Sequence, residues 1–278
     1  MNGGTEAQRD ATRVAGEAWS YRGRWALVTG ASAGIGEAFA RELARRGMHV
    51  ALAARREDRL RALADEIGRA HRVRTLVLPA DLAEPGAAGA LWKEAAAGRD
   101  LHLLVNNAGF GLKGRFDEAP LDRLGEMVRV NCTALLELSH LALRHMRPRG
   151  SGGLVNVASV AGYQPIPMMA TYAATKAFVL TLSEALAEEA RGSGVRVVTL
   201  NPGPVATEFQ GVAGTQVNEK TLGVRTSEEV VGDALRGLER GGGTVTPGLL
   251  NRLSTYVVRV SPRGLVTRSA KAVMTKLR

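Results

Sequence analysis

Several features that define other classes of protein are scarce or missing in this sequence. A single cysteine, Cys132, among 278 residues excludes an internal disulfide framework and a cysteine-based zinc cluster. No apolar run reaches the length of about 18 residues that a membrane-spanning helix needs, and residues 1–25 lack the apolar stretch of a signal peptide. Only five Phe, four Tyr and three Trp are present, so we expect a core of Ala, Val and Leu. These absences indicate a cytoplasmic globular protein.

Acidic residues are absent from the C-terminal segment 248–278, which carries seven Lys or Arg residues and supplies +7 of the net charge of +10. The remainder is close to neutral, and neither an aromatic platform nor a recognition-helix motif favours nucleic-acid binding. Apolar residues in Leu249–Val260 follow helical spacing, and a second stripe follows Pro262. We expect a basic amphipathic extension. It either packs on the core or a neighbouring subunit, or forms a lid that contacts an anionic membrane peripherally.

Between the two termini, short apolar runs alternate with longer segments of helical periodicity. This alternation predicts an α/β fold with one doubly wound parallel sheet and helices on both faces. We expect a flexible arm over 1–23, a cofactor-binding catalytic domain over 24–247 and the extension over 248–278. The predicted strands are Trp25–Thr29, Met48–Ala53, Val73–Leu78, Leu101–Asn106, Gly153–Ala158, Val195–Leu200 and an edge strand at Thr244–Thr246. The predicted helices are Ile35–Arg46, Glu57–Arg69, Ala87–Ala97, Leu121–Met146 and Tyr172–Arg191.

A glycine-rich turn directly follows the first predicted strand and opens the first predicted helix. Thr29–Gly36 reads TGASAGIG, with glycines in the pattern G-x-x-x-G-x-G. Glycines allow a tight strand-to-helix turn and a close approach of the backbone to a ligand, and the helix N-terminus attracts negative charge. The turn therefore predicts a pyrophosphate site for a dinucleotide.

The end of the second predicted strand bears on the choice of dinucleotide. An NAD site places an acid near this position to bind the ribose hydroxyls, but the sequence here is Ala53-Ala54-Arg55-Arg56. Arg55, assisted by the hydroxyl of Ser32, is suited to a 2′-phosphate, which predicts NADP(H). The alternative is that both arginines are solvated loop charges. Asp81 and Leu82, after the third strand, are expected beside the adenine, and Asn107-Ala108-Gly109, after the fourth, beside its ribose.

Three further side chains form a candidate catalytic set. Tyr172 and Lys176 lie four residues apart, on one face of a predicted helix, and Ser159 follows the fifth strand at the carboxyl edge of the sheet. Hydride transfer to a carbonyl needs a proton donor at the oxygen. A tyrosine serves this role if a nearby ammonium favours its phenolate. The spacing therefore predicts Tyr172 as the acid, Lys176 as its activating cation and Ser159 as the group that holds the substrate oxygen.

The motifs together resemble those of the short-chain dehydrogenase/reductase family over about residues 24–246: TGxxxGxG, Asn106–Gly109, the Ser–Tyr–Lys set and Pro202-Gly203. The resemblance implies a single Rossmann-type sheet of about seven strands in the order 3-2-1-4-5-6-7. It also implies that Asn131 is a fourth catalytic residue in a proton relay and that Thr207 reaches the nicotinamide. The expected cofactor-contacting residues are Gly30, Ser32, Ala33, Gly34, Ile35, Gly36, Arg55, Asp81, Leu82, Asn107, Ala108, Gly109, Tyr172, Lys176, Pro202, Gly203, Val205 and Thr207.

We therefore expect an NADPH-dependent carbonyl reductase, with no metal because the five histidines show no ligand spacing. The expected substrate walls, Val160–Met169 and Val205–Gly223, favour a lipophilic ketone, aldehyde, acyl thioester or sterol-like compound. The alternatives are a catalytically silent NADP(H)-binding regulatory or scaffold protein and a nucleotide-sugar dehydratase or epimerase. Long apolar helices at Leu121–Met146 and Ala173–Arg191 indicate a homodimer or homotetramer.

Overall fold

A seven-stranded parallel sheet organises the chain, in a computed structural model that describes residues 19–215 and 223–276. The strand order is β3-β2-β1-β4-β5-β6-β7, which confirms the predicted doubly wound topology. Most residues of the central strands are buried on both faces, as their continuous Val, Leu and Ala runs require. The strands are β1 (Trp25–Thr29), β2 (His49–Ala54), β3 (Thr75–Pro79), β4 (Leu101–Asn106), β5 (Gly152–Val157), β6 (Val195–Leu200) and β7 (Gly243–Val245).

Helices cover both faces of the sheet and divide the core into two layers. Phe39 and Leu43 on α1 pack on one face together with residues of α2 and α8. Leu91 and Trp92 on α3 pack on the other face with α5. The helices are α1 (Gly34–Arg45), α2 (Glu57–His71), α3 (Ala87–Ala96), α4 (Leu121–Val128), α5 (Leu135–Met146), α6 (Ala170–Glu189), α7 (Phe209–Ala213), α8 (Ser227–Glu239), α9 (Leu249–Val260) and α10 (Arg263–Lys276).

Three helical regions differ from the sequence prediction, one of them the short helix α7, which was not predicted. The predicted helix Leu121–Met146 is divided into α4 and α5 by a π-helical turn over Arg129–Ala134, which contains Asn131. Helix α8 was not among the predicted helices. It begins with a capping box, in which the Thr226 side chain accepts from the backbone N–H of Glu229 and the Glu229 side chain accepts from that of Thr226.

The predicted arm 1–23 lies mostly outside the described residues, but its last five residues contact the folded domain. Trp19 is partly buried beside Gly153, where an added Cβ would lie 2.6 Å from Trp19 Cη2. The Tyr21 hydroxyl donates a hydrogen bond of 2.8 Å to Glu239. Residues 19–23 are therefore packed at the amino-terminal edge of the sheet.

The C-terminal segment forms the helix pair α9–α10, and α9 is oriented with its polar side inward. Asn251 and Thr255 are buried, whereas the six apolar residues of the predicted stripe are 51–84% exposed. These residues are Leu249, Leu250, Leu253, Tyr256, Val257 and Val260. The expected packing of this stripe on the core is therefore not observed, whereas packing on a neighbouring subunit and contact with a membrane stay predictions.

No helix in the described part of the chain is long and apolar enough to cross a bilayer. Within the same residues, no group of three or more His, Cys, Asp and Glu side chains is arranged to hold a metal ion.

Candidate active site

A cavity of about 540 Å³ opens at the carboxyl edge of the sheet. In a doubly wound sheet the loops that follow the strands meet at this edge, so residues distant in sequence come together there. The cavity is lined by the glycine turn, the ends of β2 to β6 and one residue of α10, Met274. Every residue of the predicted site lines it except Gly36 and Asn131, which lie immediately behind its wall.

The glycine turn is shaped as its sequence requires. Gly30 has a φ of +66°, and an added Cβ would lie 2.7 Å from Asn107 Nδ2. A Cβ on Gly36 would collide with the backbone of Gly30. The helix that follows, α1, begins at Gly34 with no side chain capping its N-terminus. Its first residues, Gly34 and Ile35, line the cavity, and this uncapped end suits a pyrophosphate.

The side chain of Thr29 on β1 and that of Asn107, the residue after β4, hold this turn in place. The Thr29 hydroxyl accepts hydrogen bonds of 3.0 Å from the backbone N–H groups of Asn107 and Ala108. Asn107 Nδ2 donates to the carbonyl oxygens of Thr29 and Gly30, at 3.0 and 3.3 Å. The amide nitrogen of the Asn107 side chain is therefore used to position the glycine turn. Asn107 also lines the cavity.

Two consecutive arginines after β2 point to different partners. Arg56, rather than Arg55, lies against Ser32: its Nη2 is 3.0 Å and its Nε 3.2 Å from Ser32 Oγ. Arg55 instead approaches Glu126, with Nη1 3.3 Å from Oε1, and Asp81, at 3.9 Å. The cluster most suited to a 2′-phosphate therefore consists of Ser32 and Arg56.

A carboxylate from the segment after β6 pairs with the arginine of this cluster. Glu208, in the segment after β6, accepts hydrogen bonds of 2.8 Å from Arg56 and 2.6 Å from Arg59. The pKa of Glu208 is lowered by its bonds to Arg59 and Arg56. Sequence reasoning did not identify Glu208 or Arg59, because the pairing joins residues about 150 positions apart.

Asp81 and Leu82 line the cavity after β3, and their contact with an adenine stays a prediction. The Asp81 carboxylate accepts a hydrogen bond of 3.0 Å from the backbone N–H of Ala83, which forms an Asx turn after β3. Its second oxygen faces Arg55. Asp81 therefore both shapes the turn and keeps an acceptor at the cavity wall.

Tyr172 and Lys176 lie one turn apart on α6 and are both buried. Lys176 Nζ donates a hydrogen bond of 2.8 Å to the Val157 carbonyl oxygen and lies 5.9 Å from the centre of the Tyr172 ring. Ser159 follows β5, and its Oγ accepts from the backbone N–H of Ala161 at 3.1 Å. The predicted catalytic set is thus assembled around one end of the cavity.

Burial is the largest cause of the shifted pKa values of Tyr172 and Lys176. It raises the pKa of Tyr172 to about 12, with a smaller opposing effect from the hydrogen bond to Ser159. It lowers the pKa of Lys176 to about 8, with an opposing effect from Cys132. Near neutral pH the tyrosine is therefore a phenol with a proton to give, and the lysine is an ammonium.

Asn131 occupies the π-helical turn and is almost completely buried. Its Oδ1 accepts from the backbone N–H of Phe110 at 3.1 Å, and its Nδ2 donates to Phe110 O and to Thr175 Oγ1, both at 3.0 Å. The carboxamide therefore connects the segment after β4 to the residue that precedes Lys176. The predicted proton-relay role of Asn131 remains a prediction.

The end of the cavity around Tyr172 is apolar. Phe209 lies 5.4 Å from Tyr172 between ring centres, and Phe110, Met169 and Met274 belong to the same buried cluster.

Of the expected substrate walls, Val160, Ala161 and Met169 line the cavity, whereas residues 165–168 do not. Val205 to Thr215 contribute the opposite wall, and residues 216–222 lie outside the described residues. Met274 had no signal in sequence, because it comes from the far end of the chain.

The segment after β6 joins the cofactor side of the cavity to the C-terminal helices. Pro202 O accepts from the backbone N–H of Val160 at 3.0 Å, and Thr207 lies over the N-terminus of α1, beside Gly34. A Cβ on Gly203 would collide with the carboxamide of Asn251, which donates to Gly223 O at 3.0 Å and to Pro247 O at 2.9 Å. Helix α9 therefore supports the wall that contains Gly203.

Comparison with known proteins identifies the family of this chain. Residues 24–218 match the family model described as short chain dehydrogenase. The chain is 35% identical over 225 residues to human (Homo sapiens) 17-beta-hydroxysteroid dehydrogenase type 3, which covers 80% of this chain and 70% of that protein. It is 30% identical over 259 residues to the human very-long-chain 3-oxoacyl-CoA reductase, which covers 92% and 78%.

A solved structure of a short-chain dehydrogenase from Sphingobium yanoikuyae in complex with NADPH superposes with a TM-score of 0.75. The two are 33% identical, and the match covers 86% of this chain and 97% of that one. Sequence, fold and the geometry of the cavity agree, and the chain belongs to the short-chain dehydrogenase/reductase family of oxidoreductases that act on alcohol and carbonyl groups.

Proposed function

We propose that the protein is an NADPH-dependent reductase of lipophilic carbonyl compounds. The observation that carries this proposal is the placement of Tyr172 and Ser159 at the junction of two environments. On one side lies the glycine turn with the uncapped N-terminus of α1, and on the other lies the apolar end of the cavity. A cofactor and an apolar substrate that occupy these two sides would meet at Tyr172.

In this proposal the N-terminus of α1 holds the pyrophosphate, and Ser32 with Arg56 holds the 2′-phosphate. When bound, NADPH supplies the hydride that reduces the carbonyl carbon. The Tyr172 phenol gives its proton to the carbonyl oxygen, so one hydride and one proton convert a ketone or aldehyde to an alcohol. The Ser159 hydroxyl donates a hydrogen bond to the same oxygen and holds it in line.

Lys176 acts on Tyr172 rather than on the substrate. Its ammonium lies beside the Tyr172 ring and is fixed by the carbonyl of Val157. A positive charge at this distance stabilises the phenolate that remains after proton transfer. Asn131 holds the neighbouring residue Thr175, so we assign to it the positioning of this part of α6 and the proton relay implied by the family.

The preference for NADPH is supported by the charges around the end of β2. No acid occupies the position after the strand, and the Arg56 guanidinium lies against Ser32, with Arg59 joined to it through their shared ion pairs with Glu208. An anionic 2′-phosphate gains charge-assisted hydrogen bonds here, whereas the ribose hydroxyls of NADH find no carboxylate acceptor after β2.

The substrate class is inferred from the cavity wall and from relatives. The reacting end is lined by Phe110, Met169, Phe209 and Met274, which offer no charge to a sugar or phosphate. The relatives described above are named for steroid and long-chain acyl-CoA substrates. A bulky steroid-like ketone or a 3-oxoacyl thioester fits this wall better than a polar carbonyl.

Two rival functions are less well supported. A catalytically silent scaffold has no need of the buried Tyr172 and Lys176, whose burial carries a free-energy cost that catalysis explains. A nucleotide-sugar dehydratase or epimerase needs a polar pocket for its second nucleotide. The described end of the cavity around Tyr172 is apolar.

Purified enzyme tests the proposal directly. With NADPH, bulky ketones and 3-oxoacyl thioesters should be reduced faster than small polar aldehydes, as measured by the loss of nicotinamide absorbance. Replacing Tyr172 with Phe should lower kcat by about 100-fold or more and leave NADPH binding within a few-fold. A Phe variant with a tenth of the wild-type kcat, or turnover confined to polar sugars, would contradict the proposal.

A further inference from the structure

Helix α9 is oriented in the opposite way to an ordinary surface helix. A helix at a protein surface normally buries its apolar stripe and exposes its polar side. Helix α9 buries Asn251 and Thr255 and exposes the stripe that includes Leu253, Tyr256 and Val260. Exposed apolar side chains in a continuous stripe mark a contact surface.

The inward side of α9 is fixed by polar contacts that determine this orientation. Asn251 donates to the carbonyl oxygens of Gly223 and Pro247. Arg259 stacks over the ring of Tyr163 at 5.0 Å and lies 3.8 Å from Glu184. These contacts anchor both ends of the helix, so the stripe faces away from the domain rather than toward it.

The charge around the stripe is of one sign. Arg252 lies beside the stripe on α9, and α10 adds Arg263, Arg268 and Lys271, all exposed. None of these four cations forms an ion pair with another described residue. Segment 248–278 contains no acid. Helix α9 therefore exposes an apolar stripe with the unpaired Arg252 beside it, and the following helix α10 adds three further exposed cations.

We propose that the helix pair α9–α10 docks on an anionic lipid surface, with the apolar stripe of α9 inserted at the headgroup boundary. Peripheral helices of this kind bind through buried apolar area and through attraction of Lys and Arg to anionic lipids. A second copy of this chain fits less well. A two-fold contact would place the acid-free segment against itself and bring like charges together.

The same helix pair also contributes a side chain to the cavity. Met274, on the inner side of α10, lines the cavity in the same buried cluster as Tyr172. The same helix pair therefore contributes to the apolar end of the cavity and carries the exposed stripe. This inference goes beyond the proposed function, since docking requires neither cofactor nor turnover.

Co-sedimentation of the full-length protein with vesicles tests it. Vesicles of phosphatidylcholine mixed with phosphatidylglycerol should bind the protein at low salt, and binding should weaken as salt is raised or when phosphatidylcholine is used alone. Leu253→Gln with Val260→Gln should lower partition by about tenfold or more, because each removes an apolar insertion. Arg268→Gln with Lys271→Gln should lower it only on the anionic vesicles.

A matched control keeps the test specific. Phe116→Gln removes an apolar side chain that is 66% exposed but lies outside the helix pair, so it should leave vesicle binding unchanged. The proposal is overturned if the protein fails to bind anionic vesicles at low salt or if the stripe variants bind as the wild type does. It is equally overturned if the stripe variants lower the mass of an oligomer by light scattering, which would assign the stripe to a second copy.

Discussion

Arg56 Nη2 lies 3.0 Å from Ser32 Oγ and joins the turn after β2 to the glycine turn after β1. A 2′-phosphate at this junction would receive bonds from both side chains. We expect Arg56→Ala to weaken NADPH binding by about tenfold or more, because a hydrogen bond to a charged group is lost. Arg55→Ala should have the smaller effect, and NADH binding should change little with either. Fluorescence titration of both dinucleotides measures this, and a larger effect at Arg55 would reverse the assignment.

Glu208 competes with the phosphate for the same guanidinium groups. Replacing it with Gln removes the ion pairs with Arg56 and Arg59, so NADPH should bind about two- to tenfold more tightly. Glu126→Gln, which affects only Arg55 and Arg123, is the matched control and should leave the affinity nearly unchanged. Weaker NADPH binding by Glu208→Gln would mean that the carboxylate instead helps to close the cavity over the cofactor.

The exposed apolar side chains of α5 and α6 predict self-association. Leu136 and Phe178 are partly exposed on helices whose other faces are buried. We expect a homodimer or homotetramer in solution by light scattering. Replacing both residues with Arg should lower the mass toward that of the monomer, while Leu253→Arg on α9 should not. A wild-type protein that is monomeric at micromolar concentration would contradict this expectation.

His102 makes the stability depend on pH. Burial lowers its pKa to about 4, and the Arg24 guanidinium adds to this effect, whereas an unfolded histidine has a value of 6.5. Between these values the unfolded chain binds a proton that the folded protein does not, so the free energy of unfolding falls as pH decreases through this window. His102→Gln should reduce the difference between urea midpoints at about pH 7 and pH 5. The control is His140→Gln, at an exposed position. A midpoint difference in His102→Gln that is as large as in the wild type would exclude His102 as the cause.

The sheet and the catalytic pair could be predicted because their signals are local. Apolar runs of strand length alternate with helical periodicity, and Tyr172 and Lys176 are separated by one helical turn. The partner of each arginine after β2 was not predictable in the same way. Spacing places Arg55 and Arg56 at the edge of the sheet, but the backbone of the turn decides which guanidinium faces Ser32.

Features that depend on distant parts of the chain were also missed. Met274 reaches the cavity only because α10 folds back over it, and Glu208 meets Arg56 across the cavity. For α9 the pattern correctly predicted an amphipathic helix, and only the expectation that its apolar stripe packs on the core of the same chain was wrong. The anchoring bonds of Asn251 to Gly223 and Pro247 outweigh the usual preference for burying the stripe.

The contact between Asn251 and Gly203 has a thermodynamic consequence. Helix α9 touches the wall of the cofactor side through Asn251 and presents its other side to the surroundings. If a ligand on the outer surface shifted α9 and bound NADPH shifted the wall at Gly203, this contact would couple the two binding events. Linkage requires the two effects to be equal: the factor by which an outer-surface ligand changes NADPH affinity is the factor by which NADPH changes the affinity for that ligand.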